Sequence, residues 1–111
     1  RGDEEVAKIY DPAHLSVLRL IKLSSDSAKK VGVPLSVCGE MAGDTMFTSL
    51  LLGMGINTLS MSPSRILKMK QFVNLMRMSD AVNLSKQVFN ESNYKNINRI
   101  LKDFYKSLKI K

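Results

Sequence analysis

Apolar residues return at intervals of three and four along most of the chain and alternate with polar ones in only two short stretches. After the turn signal Asp11-Pro12, the residues Val17, Leu20, Ile21, Ser24 and Ala28 share one helical face while Lys22, Asp26, Lys29 and Lys30 lie on others. That spacing predicts an amphipathic helix from about 13 to 30, closed by Gly32 and Pro34. Val33, Leu35 and Val37 then alternate with Pro34, Ser36 and Cys38, the period of a strand over 34–38. Asp44 stands where it can cap the next helix, whose stripe is Phe47, Leu50, Leu51 and Met54 and whose end is Gly53-Met54-Gly55. A second strand is predicted at 56–61, in INTLSM. Ser62-Pro63-Ser64 then reads as the cap and first turn of a helix carrying Ile66, Met69, Val73 and Met76.

This order, α-β-α-β-α with short connections, predicts an α/β architecture with parallel strands and right-handed crossovers. From Ser79 onward the pattern is helix alone. Ala81, Leu84 and Val88 mark one helix capped by Asp80, and Ile97, Leu101, Phe104 and Leu108 mark another. Two heptads are too few for a coiled coil, so the last helix is expected to pack back on its own domain. Two strands are also too few for a parallel sheet covered on both faces. The rest of such a sheet is therefore expected in sequence beyond these residues or in neighbouring copies. A first residue Arg1 in place of Met fits a chain cut from a longer protein.

Composition narrows the class. At 111 residues and 44% hydrophobic, the chain has the length and make-up of one globular domain. No apolar run approaches the roughly 20 residues needed to span a bilayer, and RGDEEVAK lacks the apolar core of a signal peptide, so no membrane partner is expected. A single cysteine suits a reducing, cytoplasmic location. The net charge of +7 raises the question of nucleic acid. However, the excess Lys and Arg begin at Arg65 on helix surfaces, and three tyrosines with four phenylalanines do not interleave with them. A solvated basic face is the better reading, with no nucleic-acid partner.

Candidate chemistry centres on VPLSVCGEMAGD, residues 33–44, which puts the one thiol at the carboxyl end of a strand with Glu40 two residues on. In α/β folds that edge is where ligands bind. A thiol there can donate a proton or, once ionised, attack as a nucleophile; a small buried cysteine can equally just fill space. From periodicity alone both readings stand. His14 opens a helix after a turn and is read as a capping or surface residue, since no second histidine exists to share catalysis or metal binding. The seven methionines fall on helical stripes as core fillers, no His/Cys cluster suggests a metal, and Gly53 with Gly55 does not make a phosphate loop.

A more specific signal lies in consecutive blocks. Cys38-Gly39-Glu40-Met41-Ala42-Gly43-Asp44, then Leu50-Leu51-Leu52-Gly53-Met54-Gly55, then Leu59-Ser60-Met61-Ser62-Pro63 with Ile66 and Lys68, resemble the C-terminal part of Enzyme I of the bacterial phosphotransferase system, the phosphoenolpyruvate-protein phosphotransferase family. The segment Asp11 to Ile21 and the opening Arg1-Gly2-Asp3 resemble the same family, so the likeness runs from residue 1 to about 78.

The resemblance implies the C-terminal fragment of a (β/α)8 TIM barrel over 1–78, with 34–38 and 57–61 as its last two strands, followed by a C-terminal helical extension over 79–111. It implies that phosphoenolpyruvate (PEP) binds at the barrel's C-terminal face with Mg2+. The phosphoryl group passes to an enzyme histidine and on to a phosphocarrier protein, in sugar transport for example, and pyruvate is released. Cys38 matches the family's cysteine that protonates C3 of the enolate, and Arg1 matches an arginine that contacts the substrate's phosphate or carboxylate. A neutral thiol suits that task, since it delivers a proton to carbon without the repulsion a carboxylate would bring. The family also implies a homodimer. Its phosphohistidine, magnesium carboxylates and other substrate arginines have no counterparts here, and His14 is not the phosphohistidine, so the fragment alone is expected to be inactive. Two alternatives stay open: a fragment of a pyruvate phosphate dikinase or PEP synthase-like enzyme, which shares a similar CGE block, and a noncatalytic dimerisation module.

Overall fold

A computed structural model of the chain describes residues 11–110. Arg1, and with it the Arg1-Gly2-Asp3 part of the expected substrate contact, lies outside the described residues. Six helices follow in order: α1 Leu15–Val31, α2 Gly39–Gly43, α3 Thr45–Gly53, α4 Pro63–Val73, α5 Met78–Asn90 and α6 Lys95–Ile110.

The expected α/β barrel fragment is not what forms: among the described residues there is no strand and no sheet. The two segments predicted as strands meet in one isolated parallel bridge, Val37 to Leu59. The Val37 N–H donates to the Thr58 carbonyl at 3.0 Å, and the Ser60 N–H donates to the Val37 carbonyl at 2.8 Å. The physical reason is the one that makes short parallel pairs unstable: each segment has a neighbour on one side at most, and Pro34 removes a donor from the ladder. The alternation in sequence is present, but no third segment exists among the described residues to extend the pairing.

The helices form largely where local chemistry directs them. His14 sits in an extended conformation at the N-cap of α1 and its Nδ1 accepts from the Ser16 N–H at 3.2 Å. Its ring stacks on Tyr94 at 5.2 Å between centroids, tying the start of α1 to the junction of α5 and α6. At the other end Gly32 takes φ 74, and the Val33 N–H reaches back to the Ala28 carbonyl at 2.9 Å, a cap that only a residue without Cβ makes cheaply. Asp44 caps α3 as expected, its Oδ1 accepting from the Met46 N–H at 2.9 Å. Ser62 and Pro63 open α4 as expected. For α5 the expectation shifts by a turn: Arg77 occupies the N-cap and Asp80 lies within the first turn.

The core is built around α3, which is apolar on all sides and buries Phe47, Thr48, Ser49, Leu50 and Leu51 in succession. Its two buried hydroxyls are satisfied, Thr48 donating to the Met69 sulfur at 3.1 Å and Ser49 to the Met76 sulfur at 3.5 Å. The most extensive helix contact is between α3 and α5. There Gly53 comes so close to the Ala81 carbonyl that a Cβ on residue 53 would overlap it. Ala81, Leu84 and Val88 of α5 and Ile97 and Leu101 of α6 are buried, as their stripes predict. The last helix does pack back on this core, and Phe72 of α4 stacks on Tyr105 at 5.4 Å.

Helix α1 corrects the sequence reading in a different way. The predicted core stripe included Val17, Leu20 and Ser24, yet Leu20 is 65% exposed and Val17 39%. The face turned inward carries Leu18 and Ser25, both buried, with Ile21 and Ala28 at its edge. Ser25 donates to the Met54 carbonyl at 3.3 Å and so fixes that choice. Both faces of α1 are apolar enough to qualify, and contact with the core selects between them. In α4 the same happens: Met69 and Phe72 are buried, whereas Ile66 and Val73 are exposed.

Candidate functional site

Val37 pairs in the bridge, and Cys38, extended at φ −124 and ψ −177, serves as the N-cap of α2. Gly39 then takes φ 81, a left-handed conformation that turns the chain abruptly into the helix. A side chain at residue 39 would strain this corner, so the order Cys-Gly is what holds the thiol at the bend. Cys38 is exposed and unpaired with any other cysteine. Among the described residues the core does not enclose it. Glu40 is exposed beside it, while Ala42 and Gly43 are buried and anchor the other end of α2.

A cavity of about 350 Å³ opens against this bend. One wall is Gly39, Glu40 and Gly43 of α2; the other is Ser60, Met61 and Ser62, with Arg65 at the first turn of α4. The Val37–Leu59 bridge sets the two walls opposite one another, since Cys38 follows one bridge residue and Ser60 the other. Arg65 crosses between them: its Nη1 donates to the Gly43 carbonyl at 3.1 Å. The cavity therefore has one carboxylate and one guanidinium in its lining and a thiol adjoining it through Gly39. Such a set places a proton donor on sulfur near a positive charge.

Arg65 was not legible as a site residue. In sequence it is the first of the basic residues that cover the C-terminal helices. The signal that could have marked it is its position three residues after the Ser62 cap, at the end of the second extended segment. His14 has no part in this cavity's lining and serves α1 as its cap. Among the described residues no three of His, Cys, Asp and Glu form a group that could hold a metal ion, so these residues alone make no cage for the magnesium that the resemblance implies. Among them, too, no helix is long and apolar enough to cross a membrane.

Comparison with known proteins bears on this region directly. Residues 1–78 match the family model described as PEP-utilising enzyme, PEP-binding domain. Over 71 residues the chain is 49% identical to a phosphoenolpyruvate-protein phosphotransferase of Cupriavidus necator, covering 64% of this chain and 12% of that protein. It is 40% identical over 92 residues to one of Listeria monocytogenes, covering 83% of this chain and 16% of that protein. With one of Buchnera aphidicola it shares 36% over 104 residues, covering 94% of this chain and 18% of that protein. The chain thus spans less than a fifth of the length of these relatives.

Proposed function

Because the chain belongs to the PEP-utilising enzymes, through their PEP-binding domain, we propose that it forms part of a phosphoenolpyruvate-protein phosphotransferase. In this reading the complete enzyme moves the phosphoryl group of PEP to one of its own histidines and on to a phosphocarrier protein, releasing pyruvate. Cys38 is the proton donor. When phosphorus leaves the enolic oxygen, the electron pair of that oxygen re-forms a carbonyl, and C3 takes the proton from sulfur; the thiolate left behind recovers a proton from solvent.

The observation that carries the reading is the exposed thiol at the Gly39 corner, next to a cavity of about 350 Å³ with a guanidinium in its wall. The cavity is of a size for a three-carbon phosphorylated acid, and burial of the thiol would have been incompatible with the role. Arg1 is proposed as a contact to the substrate's phosphate or carboxylate, for which a planar guanidinium offers paired donors. The magnesium ligands are proposed to come from outside these residues, and residues 79–111 to serve as a helical extension that completes the core around α3. The lone thiol supports a cytoplasmic location. A homodimer is proposed on the family resemblance.

The test is Cys38→Ala in the full-length protein. Pyruvate formation from PEP is expected to fall by about 10²-fold or more, as loss of a general acid does. A rate within about twofold of the parent would overturn the assignment.

A further inference from the structure

We propose that Arg65 is a positioning residue for this reaction: by clamping the Gly43 end of α2 it fixes the turn whose other end presents Cys38. The inference rests on the reading of Cys38 given above, in which Arg65 enters only as a guanidinium in the cavity wall.

The geometry is a two-point grip. Arg65 Nη1 donates to the Gly43 carbonyl at 3.1 Å, and that carbonyl belongs to the last residue of α2, where no further helical turn supplies a donor. The aliphatic stem of the same side chain lies over the Gly43 α-carbon, so that a Cβ on residue 43 would sit 2.8 Å from Arg65 Cδ and 3.4 Å from Met61 Cβ. Gly43 therefore admits the arginine, and the arginine holds Gly43. The helix gripped in this way has only five residues, too few to be stable by its own hydrogen bonds, and Cys38 is its N-cap. A helix this short transmits whatever holds one end to the other.

At the Cys38 end no side-chain hydrogen bond caps the helix, and the chain entering it is held by the two backbone hydrogen bonds of Val37. The orientation of the thiol thus depends on that bridge, on Gly39, whose backbone makes the bend, and on the Arg65 clamp at the opposite end. Arg65 is itself exposed, so its removal opens no cavity in the core. Its loss should loosen α2 and spare the rest of the fold, which separates positioning from general support.

The experiment compares Arg65→Gln, Arg65→Ala and Arg65→Lys with the parent in the full-length protein that carries these residues. Backbone hydrogen exchange is followed by mass spectrometry in peptides covering 38–44 and in peptides from α5 and α6. The charge-assisted bond is worth about a tenfold change in local opening, so exchange at 39–43 is expected to rise about tenfold or more in Arg65→Gln and Arg65→Ala. Arg65→Lys, which keeps a charged donor, is expected to recover part of the protection. In α5 and α6 exchange should not change. In PEP turnover kcat is expected to fall about tenfold while KM moves by less than about threefold, the pattern of a misplaced acid with binding retained. Unchanged exchange at 39–43, or equal loosening of α5 and α6, would overturn the proposal. The exchange result decides whether the clamp exists, and an unchanged kcat with α2 loosened would overturn its role in the reaction. Should Cys38→Ser retain full activity while Arg65→Gln loosens α2, the proton-donor reading is what falls, and the clamp remains.

Discussion

The Gly53 α-carbon faces the carbonyl oxygen of Ala81 across the contact between α3 and α5 with no room for another atom between them. Ser85 lines the same crossing, its Cβ 3.2 Å from where a Cβ on residue 53 would stand. The approach lies in the most extensive helix contact among the described residues, and it makes residue 53 a gauge of helix spacing.

Gly53→Ala is accordingly expected to destabilise the protein by about 1–3 kcal/mol, as overpacking does. The sign is the informative part, because the same change in an uncrowded helix stabilises by up to about 1 kcal/mol. Urea unfolding of the two proteins distinguishes the outcomes, and a rise in the midpoint would show that the two helices are not in contact here.

His14 combines a cap with an aromatic contact, and the two separate by mutation. His14→Asn keeps a side-chain acceptor for the Ser16 N–H and loses the stack on Tyr94; His14→Ala loses both. Asn is expected to cost about 0.5–1.5 kcal/mol and Ala about 1 kcal/mol more, read from thermal unfolding. Equal losses would mean that the cap contributes nothing.

Leu101 is 1% exposed in α6, whereas the Lys22–Asp26 pair lies on the surface of α1 at 3.1 Å. Leu101→Ala should therefore cost about 2–5 kcal/mol, and Asp26→Asn less than about 0.5 kcal/mol. Denaturant curves of both variants test whether α6 belongs to the cooperative core: a small effect at Leu101 would detach it.

The Cys38 thiol should react with an alkylating reagent in the native protein, to one equivalent and without denaturant, because it is exposed. In the full-length protein PEP is expected to slow that reaction about tenfold or more, if bound substrate covers the bend. Alkylation that requires unfolding would remove Cys38 from the site.

The parts of this structure legible from sequence are those fixed within a few residues. Asp44, Gly32 and Ser62-Pro63 each act on the next turn of backbone, and the helices they bound form within a residue or two of expectation. The strands were misjudged because a strand is a relation between distant segments: the alternation at 33–38 is present, and no segment among the described residues extends its pairing beyond one bridge. The inward face of α1 also depended on a partner, the Met54 carbonyl that receives Ser25. At the site, the cysteine was visible through its block of neighbours. Arg65 was hidden among other surface cations until its reach to Gly43, 22 residues away, was known.

Two rungs register the rims of the cavity, Val37 to Thr58 and Ser60 to Val37. A ladder that short, with the Arg65 bridge to Gly43 beside it, leaves room only for small swings of either segment. Any molecule that touches both the Gly39 rim and the Ser62 rim draws its tightness partly from stilling that swing, so occupancy and rung formation favour each other. The mouth would then set its own gauge by what it holds.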